Sequence, residues 1–167
     1  SSPMIDITVD EDAAVVIHAD LDSVFSDVDD PDLLFSFDNS NTSLLTASID
    51  DENVLRFEFL ENAFGSAVIT VTASDGEFNI SDDVSVIVNS VNDIPLVDDL
   101  DIITDEDTQV DVTLTGFDVE TPDDLTFEIV AEPIHGVYSD GVYTPNENYF
   151  GDDSFTFRAF DDQDYSS

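Results

Sequence analysis

The run ITVTA at residues 69–73 alternates apolar and hydroxyl-bearing side chains along its whole length. The same period of two recurs in IDITV at residues 5–9 and in FTFRA at residues 155–159. Apolar side chains at every second position share one face of a β-strand, whereas an amphipathic helix repeats them about every 3.6 residues. Stretches rich in Asp, Asn, Gly, Pro and Ser separate such runs, and no segment carries a long helical pattern. The sequence therefore predicts an all-β fold of short strands, typical of a sandwich.

An internal repeat sets the domain organisation. The motif DED centred on Glu11 returns 95 residues later, centred on Glu106. The motif NAFG at residues 62–65 returns as NYFG at residues 148–151, and in both copies an aspartate follows the glycine by ten residues. Repeats of this length are single structural units. We therefore predict two tandem domains, residues 1–93 and 94–167, joined at the VNDIP linker.

The second copy lacks one element of the first. The strand pattern VSVIV at residues 84–88 has no counterpart after residue 161, so we expect the second domain to lack its last strand and to be C-terminally truncated. A sandwich without that strand exposes the edge of its neighbour and part of the core. The second domain is therefore predicted to be the less stable one unless another chain covers this edge.

Composition excludes several classes of partner and chemistry. Among 167 residues, 41 are acidic and 2 are basic, which gives a formal net charge of −39. Such a chain repels nucleic acids and anionic lipid surfaces, and the absence of Cys removes disulfides and thiolate metal sites. The longest apolar run has five residues, so no membrane insertion is expected. The 13 Phe and the 41% hydrophobic content still predict a folded chain. High acidity is also typical of proteins from salty habitats.

Carboxylates and carboxamides gather where the predicted strands end. Such positions suit a hard cation, and Ca²⁺ accepts about six to eight oxygen ligands in a flexible arrangement. Mg²⁺ requires stricter octahedral geometry, so a loose set of protein oxygens favours Ca²⁺. The candidate metal ligands are Glu11, Asp27, Asp29, Asp75, Asn92, Asp93, Glu106, Asp118, Glu120 and Asp161.

The ordered set of motifs resembles a known family. The set comprises DED at the start of the repeat, DVD at residues 27–29, ASDG at residues 73–76 and the linker VNDIP at residues 91–95. It is similar to the cadherin-like and Ig-like tandem repeats of large bacterial surface adhesins and secreted marine bacterial proteins. The run YTPNENYFGDDSFTF at residues 143–157 is especially typical of the bacterial group. The resemblance covers nearly the whole chain.

This resemblance implies a seven-stranded Greek-key sandwich per repeat, with Ca²⁺ held between consecutive repeats. Carried over to this sequence, the main site would take Glu11 from the first repeat, Asn92 and Asp93 from the linker, and Asp118, Glu120 and Asp161 from the second repeat. Asp27, Asp29 and Asp75 would form an equivalent set that lacks its upstream linker. Glu106 would lack its downstream linker.

The function implied is that of an extracellular, calcium-binding repeat that stiffens a cell-surface or secreted bacterial protein for adhesion or module spacing. Its partners would be calcium ions and neighbouring repeats of the same chain. An alternative is a calcium-dependent carbohydrate-binding or homophilic adhesion module attached to a secreted hydrolase, whose partner would be a polysaccharide or a like repeat on another cell.

Catalysis has no support in the sequence, and the chain is expected not to be an enzyme. It contains no nucleophile elbow, phosphate-binding glycine loop or His-based zinc motif. His18 is predicted to face outward, opposite Val15 and Ile17. The aromatic residues Tyr138, Tyr143, Tyr149 and Phe150 could stack on a sugar, but packing within the sandwich is the more common use of such residues.

Overall fold

The computed structural model describes residues 3–28 and 32–167, and within them the chain is almost entirely β. The one helix of this part, α1, spans Leu21–Val24, and the side chain of Asp20 caps it by accepting the Asp22 N–H at 3.1 Å. No helix in the described ranges has the length and apolar character to span a bilayer. The chain forms two compact units, Ser1–Val91 and Asn92–Ser167. The predicted domain boundary after Asp93 lies two residues further along.

Unit 1 consists of two sheets that share one core. The strands are β1 Ile7–Asp10, β2 Val16–Asp20, β3 Leu34–Asn39, β4 Leu45–Ile49, β5 Val54–Phe59, β6 Gly65–Ser74 and β7 Asn79–Asn89. Strand order is β1-β7-β6-β3 in the first sheet and β2-β5-β4 in the second. β1 runs parallel to β7, and the other pairs are antiparallel.

The ITVTA run lies in the middle of β6 and follows the predicted alternation. Ile69 and Val71 are fully buried, whereas Thr70 and Thr72 lie on the outer face and hydrogen-bond across to Asp83 and Ser81 of β7. Leu55 and Phe57 of the opposite sheet belong to the same buried cluster. Burying one such side chain contributes about 1.5–3 kcal/mol. The alternation in the sequence therefore builds the core directly.

The prediction for His18 is wrong. A register shift between Ile17 and Ala19 interrupts the pairing of β2 with β5. The alternation is already in the opposite phase before this shift, since Val16 is half-buried and Ile17 is 66% exposed. His18 continues that phase, half-buried and stacked on Phe57 with 5.3 Å between ring centroids. Val15, also expected inside, is 55% exposed.

Unit 2 repeats most of this plan with shorter strands. The strands are β8 Leu96–Val97, β9 Val110–Asp111, β10 Gly116–Phe117, β11 Thr126–Ala131, β12 Gly136–Ser139, β13 Val142–Pro145 and β14 Thr156–Phe160. The described residues form the sheets β10-β8, β11-β14 and β12-β13-β9, with antiparallel pairing throughout. At the position where β7 begins in unit 1, unit 2 has a single antiparallel bridge between Phe160 and Tyr165.

A pair of loops in each unit is joined in the same way. In unit 1 the Asn62 N–H donates to the Asp12 carboxylate at 3.0 Å, and in unit 2 the Asn148 N–H donates to the Asp107 carboxylate at 2.7 Å. All four residues have φ between 54° and 59°, a left-handed conformation that Asn and Asp tolerate better than most residues. The internal repeat is therefore present in local geometry as well as in sequence.

Candidate metal centre

Strand pairing gathers the conspicuous acids of unit 2 at one end. Asp118 directly follows β10. Because Phe117 of β10 pairs with Leu96 of β8, Asp118 lies beside the segment that leads into β8. Asp161 directly follows β14, whose last residue pairs with the first residue of β11. Both aspartates are buried, Asp118 with 2% and Asp161 with 4% of its surface exposed.

Three carboxylates at this end each leave one oxygen unused. Asp118 Oδ1 accepts the Glu120 N–H at 3.0 Å and the Thr121 N–H at 2.6 Å, and Glu120 Oε2 accepts the Asp93 N–H at 2.9 Å. The second oxygens, Asp118 Oδ2 and Glu120 Oε1, are buried and have no hydrogen-bond partner in the described structure, and the same holds for Asp93 Oδ2. Oxygens of the Asp93 and Glu120 carboxylates lie within 4.8 Å of each other.

No basic side chain offsets this charge. The chain has only two Lys or Arg residues. Arg56 pairs with Asp50 at 2.8 Å and Arg158 pairs with Glu128 at 2.7 Å. An ionised carboxylate buried without a partner costs several kcal/mol. The buried, unpartnered oxygens of Asp93 and Glu120 belong to carboxylates whose oxygens lie within 4.8 Å of each other, and they therefore fit a hard divalent cation, which prefers oxygen ligands.

A second layer of polar contacts holds Asp161. Its Oδ1 accepts the N–H groups of Gln163 and Asp164, each at 2.6 Å, and its Oδ2 accepts Asn92 Nδ2 at 3.0 Å. Burial raises the pKa of Asp161, but these hydrogen bonds outweigh burial and hold the pKa below its usual range. Asn92 Oδ1 in turn accepts from Gln163 Nε2 at 2.7 Å. Asn92 therefore orients Asp161 in this structure, and its role as a metal ligand stays a prediction.

The remaining predicted ligands are Glu11, Asp27, Asp29, Asp75 and Glu106. Glu11, in unit 1, accepts the Val91 N–H through Oε1. Asp75 accepts the N–H groups of Glu77 and Phe78, and these bonds lower its pKa. Asp27 and Glu106 are exposed. Asp29 lies outside the described residues.

The tyrosines of unit 2 are engaged within the unit. Tyr138 stacks on Phe155 at 4.7 Å, Tyr149 stacks on His135 at 4.1 Å, and the Tyr143 hydroxyl donates to Asp153 at 2.8 Å. Of the four aromatic residues considered for sugar stacking, Phe150 is the one left strongly exposed, at 84%. These contacts favour the packing role over a sugar platform.

Three residues of this end were missed by sequence reasoning. Thr121 donates both its N–H and its hydroxyl to Asp118, and the pattern Asp-x-x-Thr is a known local turn signal that could have pointed to it. Gln163 and Asp164 complete the loop around Asp161. Neither carries a signal that separates it from the other polar residues of an acidic chain.

The fold defines a class of protein, an all-β chain of two sandwich-like units. More specifically, residues 92–167 match the family model of the bacterial Ig domain. This match confirms the predicted resemblance to bacterial Ig-like repeats over unit 2. A search among curated proteins finds no match.

Several solved structures are similar to the chain. An endo-fucoidan hydrolase from glycoside hydrolase family 107 is 17% identical, with a TM-score of 0.40 over 99% of this chain and 27% of that one. The first two extracellular domains of human protocadherin-24 are 14% identical, with a TM-score of 0.47 over 93% and 82%. Extracellular cadherin domains 1–5 of protocadherin gamma B2 are 14% identical, with a TM-score of 0.48 over 95% and 35%. The chain thus spans about a quarter of the hydrolase.

Proposed function

We propose that this chain is a calcium-binding pair of Ig-like repeats from an extracellular bacterial protein, with a structural rather than a catalytic role. The observation that carries the proposal is the set of buried, unpartnered oxygens on Asp93, Asp118 and Glu120. Bacterial Ig-like domains are typically extracellular, where free Ca²⁺ is abundant enough for sites with a Kd of about 10⁻⁴ to 10⁻³ M.

The proposed mechanism is electrostatic. Without a cation, the carboxylates of Asp93 and Glu120, whose oxygens lie within 4.8 Å of each other, repel one another, and the buried Asp118, which accepts the Glu120 N–H, adds a third negative charge nearby. Ca²⁺ offsets this repulsion and fixes the backbone at Asp93, the second residue of unit 2. Because Asp93 follows unit 1 so closely in the chain, ion binding would stiffen the linker. Such a repeat would serve as a spacer that presents an adhesive or catalytic module.

Thermal unfolding after chelation tests this proposal. At a free Ca²⁺ concentration of about 100 times Kd, binding adds roughly 2.7 kcal/mol to the free energy of unfolding. For a domain of this size the unfolding midpoint should rise on the order of 10 °C. Mg²⁺ at the same ionic strength should have a much smaller effect. A Ca²⁺ response equal to that of Mg²⁺ would contradict the proposal.

The variant Asp118→Asn separates ion binding from folding. Asparagine keeps the Oδ1 acceptor for Glu120 and Thr121 but removes the charge and the unpartnered oxygen. In EDTA the variant should be at least as stable as the wild type, because it relieves repulsion. In Ca²⁺ it should lose most of the rise. The matched control is Asp124→Asn, an exposed residue of the same loop that should retain the full rise. A full rise in Asp118→Asn would exclude this site.

A further inference from the structure

The side-chain amide of Asn92 has hydrogen-bond partners at both of its polar atoms, all within unit 2. Its Nδ2 donates to Asp161 Oδ2 at 3.0 Å, to the Asp93 carbonyl at 3.0 Å and to Asp164 Oδ2 at 3.3 Å. Its Oδ1 accepts Gln163 Nε2 at 2.7 Å. An oxygen in the place of Nδ2 would face three other oxygens, so this network fixes the orientation of the amide. We call the arrangement the Asn92 clasp.

The Asn92 clasp leaves Asp161 with no unused oxygen. The Oδ1 of Asp161 accepts two backbone N–H groups, and its Oδ2 accepts Asn92. In contrast, Asp93, Asp118 and Glu120 each keep one buried oxygen that has no partner in the described structure. This end of unit 2 therefore contains one set of carboxylate oxygens that is open to a cation and one that is already closed by hydrogen bonds.

The amide nitrogen of Asn92 stands where a cation would otherwise fit. Two of its three acceptors are carboxylate oxygens and the third is a backbone carbonyl, and both kinds of oxygen are common ligands of Ca²⁺. An ion at this position would require the amide to turn over, so that Oδ1 faced the oxygens of Asp161 and Asp164. That rotation would break all four hydrogen bonds of the clasp.

Gln163 is the residue that fixes the orientation of this amide. Residues 161–164 and residues 75–78 form loops with the same hydrogen bonds. In each loop the first residue donates its N–H to the carbonyl of the fourth at 3.3 Å, and the third donates its N–H to the carboxylate of the first. The third residue is Gln163 in unit 2 and Glu77 in unit 1. A glutamate side chain accepts but does not donate, so it would favour Asn92 with Nδ2 turned towards it.

We propose that the Asn92 clasp limits the calcium site of unit 2 to a single ion and that Gln163 sets this limit. The inference rests on the proposed function, since it concerns the number of ions at that site. The family resemblance implies Asn92 and Asp161 as further ligands, whereas the clasp would keep these two residues bonded to each other when Ca²⁺ is present. Calcium would then act on Asp93 and leave Asn92 unchanged.

Native mass spectrometry of the whole chain with bound Ca²⁺ tests the ion count. Asp118→Asn removes a ligand of the single-ion site, so the variant should bind one ion fewer than the wild type. A difference of two ions would mean that Asn92 and Asp161 hold a second ion, which would overturn the inference but leave the calcium proposal standing. No difference would contradict the calcium proposal and the inference with it.

The variant Gln163→Glu tests the role of this residue. It should bind one ion more than the wild type, because glutamate favours the turned amide and adds a carboxylate. The matched control is Gln109→Glu, which adds the same charge at the only other glutamine of the chain, an exposed residue, and should leave the count unchanged. An unchanged count for Gln163→Glu, or the same gain in both variants, would overturn the inference.

Nuclear magnetic resonance of the Asn92 side-chain NH₂ group provides a readout that does not depend on counting ions. In EDTA its hydrogens should exchange with solvent at least roughly tenfold more slowly than those of the exposed Asn148. The same protection should persist when the protein is saturated with Ca²⁺. Fast exchange in EDTA would show that the clasp does not form, and protection lost on adding Ca²⁺ would show that the amide turns over to bind a second ion. Either result would overturn the inference.

Discussion

At the scale of single residues, Asp153 is the most heavily used acceptor of unit 2. Its Oδ1 accepts the N–H groups of Ile134 and Ser154, and its Oδ2 accepts the His135 N–H and the Tyr143 hydroxyl, at 2.8 to 3.0 Å. These bonds outweigh burial and lower the pKa of Asp153. Burial and this carboxylate together raise the pKa of Tyr143 to about 12. Through these hydrogen bonds, Asp153 connects the residues just before β12 and strand β13 to its own loop before β14.

Asp153→Asn is expected to destabilise unit 2 by about 1–3 kcal/mol, because the amide NH₂ would face donors that now have an acceptor. Urea unfolding followed by tyrosine fluorescence measures the change. Asp152→Asn is the matched control, since its side chain is exposed. The same loss in both variants would mean that charge, not hydrogen bonding, is responsible.

His18 predicts a pH dependence in unit 1. Its Nε2 is buried without a partner in the described structure, and burial lowers its pKa. The folded state therefore favours neutral His18. Its contribution to stability is complete above the unfolded pKa of about 6.5 and is lost as the pH falls towards the folded pKa. His18→Phe keeps a ring against Phe57, so the variant should lose less stability than the wild type between about pH 7.5 and 5.5. Equal losses in urea unfolding followed by far-UV circular dichroism would contradict this assignment.

Residue-level prediction from sequence was uneven for a physical reason. Asp118 and Asp161 could be singled out because they end strands, and the structure brings both to one end of unit 2. The burial of His18 could not be foreseen, since Val16, in the same phase of β2, is as apolar as Ile17 in the other phase, and the residue types therefore do not distinguish the two faces. Gln163 acts through its backbone and amide, and its residue type gives no warning of that role.

At the scale of elements, two strands with the same sequence pattern differ in burial. In β6, Ile69 and Val71 are fully buried, whereas Phe157 of β14 and Phe155, which directly precedes that strand, are only half-buried. The pattern predicted both strands and their inward faces. How much of each face is covered depends on a neighbouring strand, which the pattern within the strand does not encode. The principal buried cluster of the described residues accordingly lies entirely in unit 1.

This difference predicts that unit 2 unfolds before unit 1. The four tyrosines, Tyr138, Tyr143, Tyr149 and Tyr165, all lie in unit 2, and the chain has no Trp. Tyrosine fluorescence therefore reports unit 2 alone, while far-UV circular dichroism reports both units. In EDTA the tyrosine transition should precede the main transition in circular dichroism by several degrees. Coincident transitions would show that the two units unfold together.

At the scale of the whole molecule, net charge is a separate source of salt dependence. With 41 acids and 2 basic residues, general repulsion destabilises the folded chain. Salt screens this repulsion, since the Debye length falls from about 10 Å at 0.1 M to about 3 Å at 1 M. Sodium chloride should therefore raise the midpoints of both units.

Calcium at matched ionic strength should add a further rise confined to the tyrosine signal, because the buried site is poorly reached by monovalent screening. Titrating CaCl₂ at constant ionic strength, with Asp118→Asn alongside, measures this increment. If sodium chloride alone reproduces the full effect, the acidity is an adaptation to a salty habitat and the calcium assignment fails.

The parallel pairing of β1 with β7 has a mechanical consequence. β1 enters unit 1 from the N-terminal side and β7 leaves it on the C-terminal side, and four residue pairs join them from Ile7–Val86 to Asp10–Asn89. Tension along the chain pulls two parallel strands in opposite directions, so their hydrogen bonds bear load together in shear rather than opening one after another. Resistance to such pulling is set by the unfolding rate rather than by equilibrium stability. Unit 1 is therefore expected to resist unfolding when force is applied to its two ends.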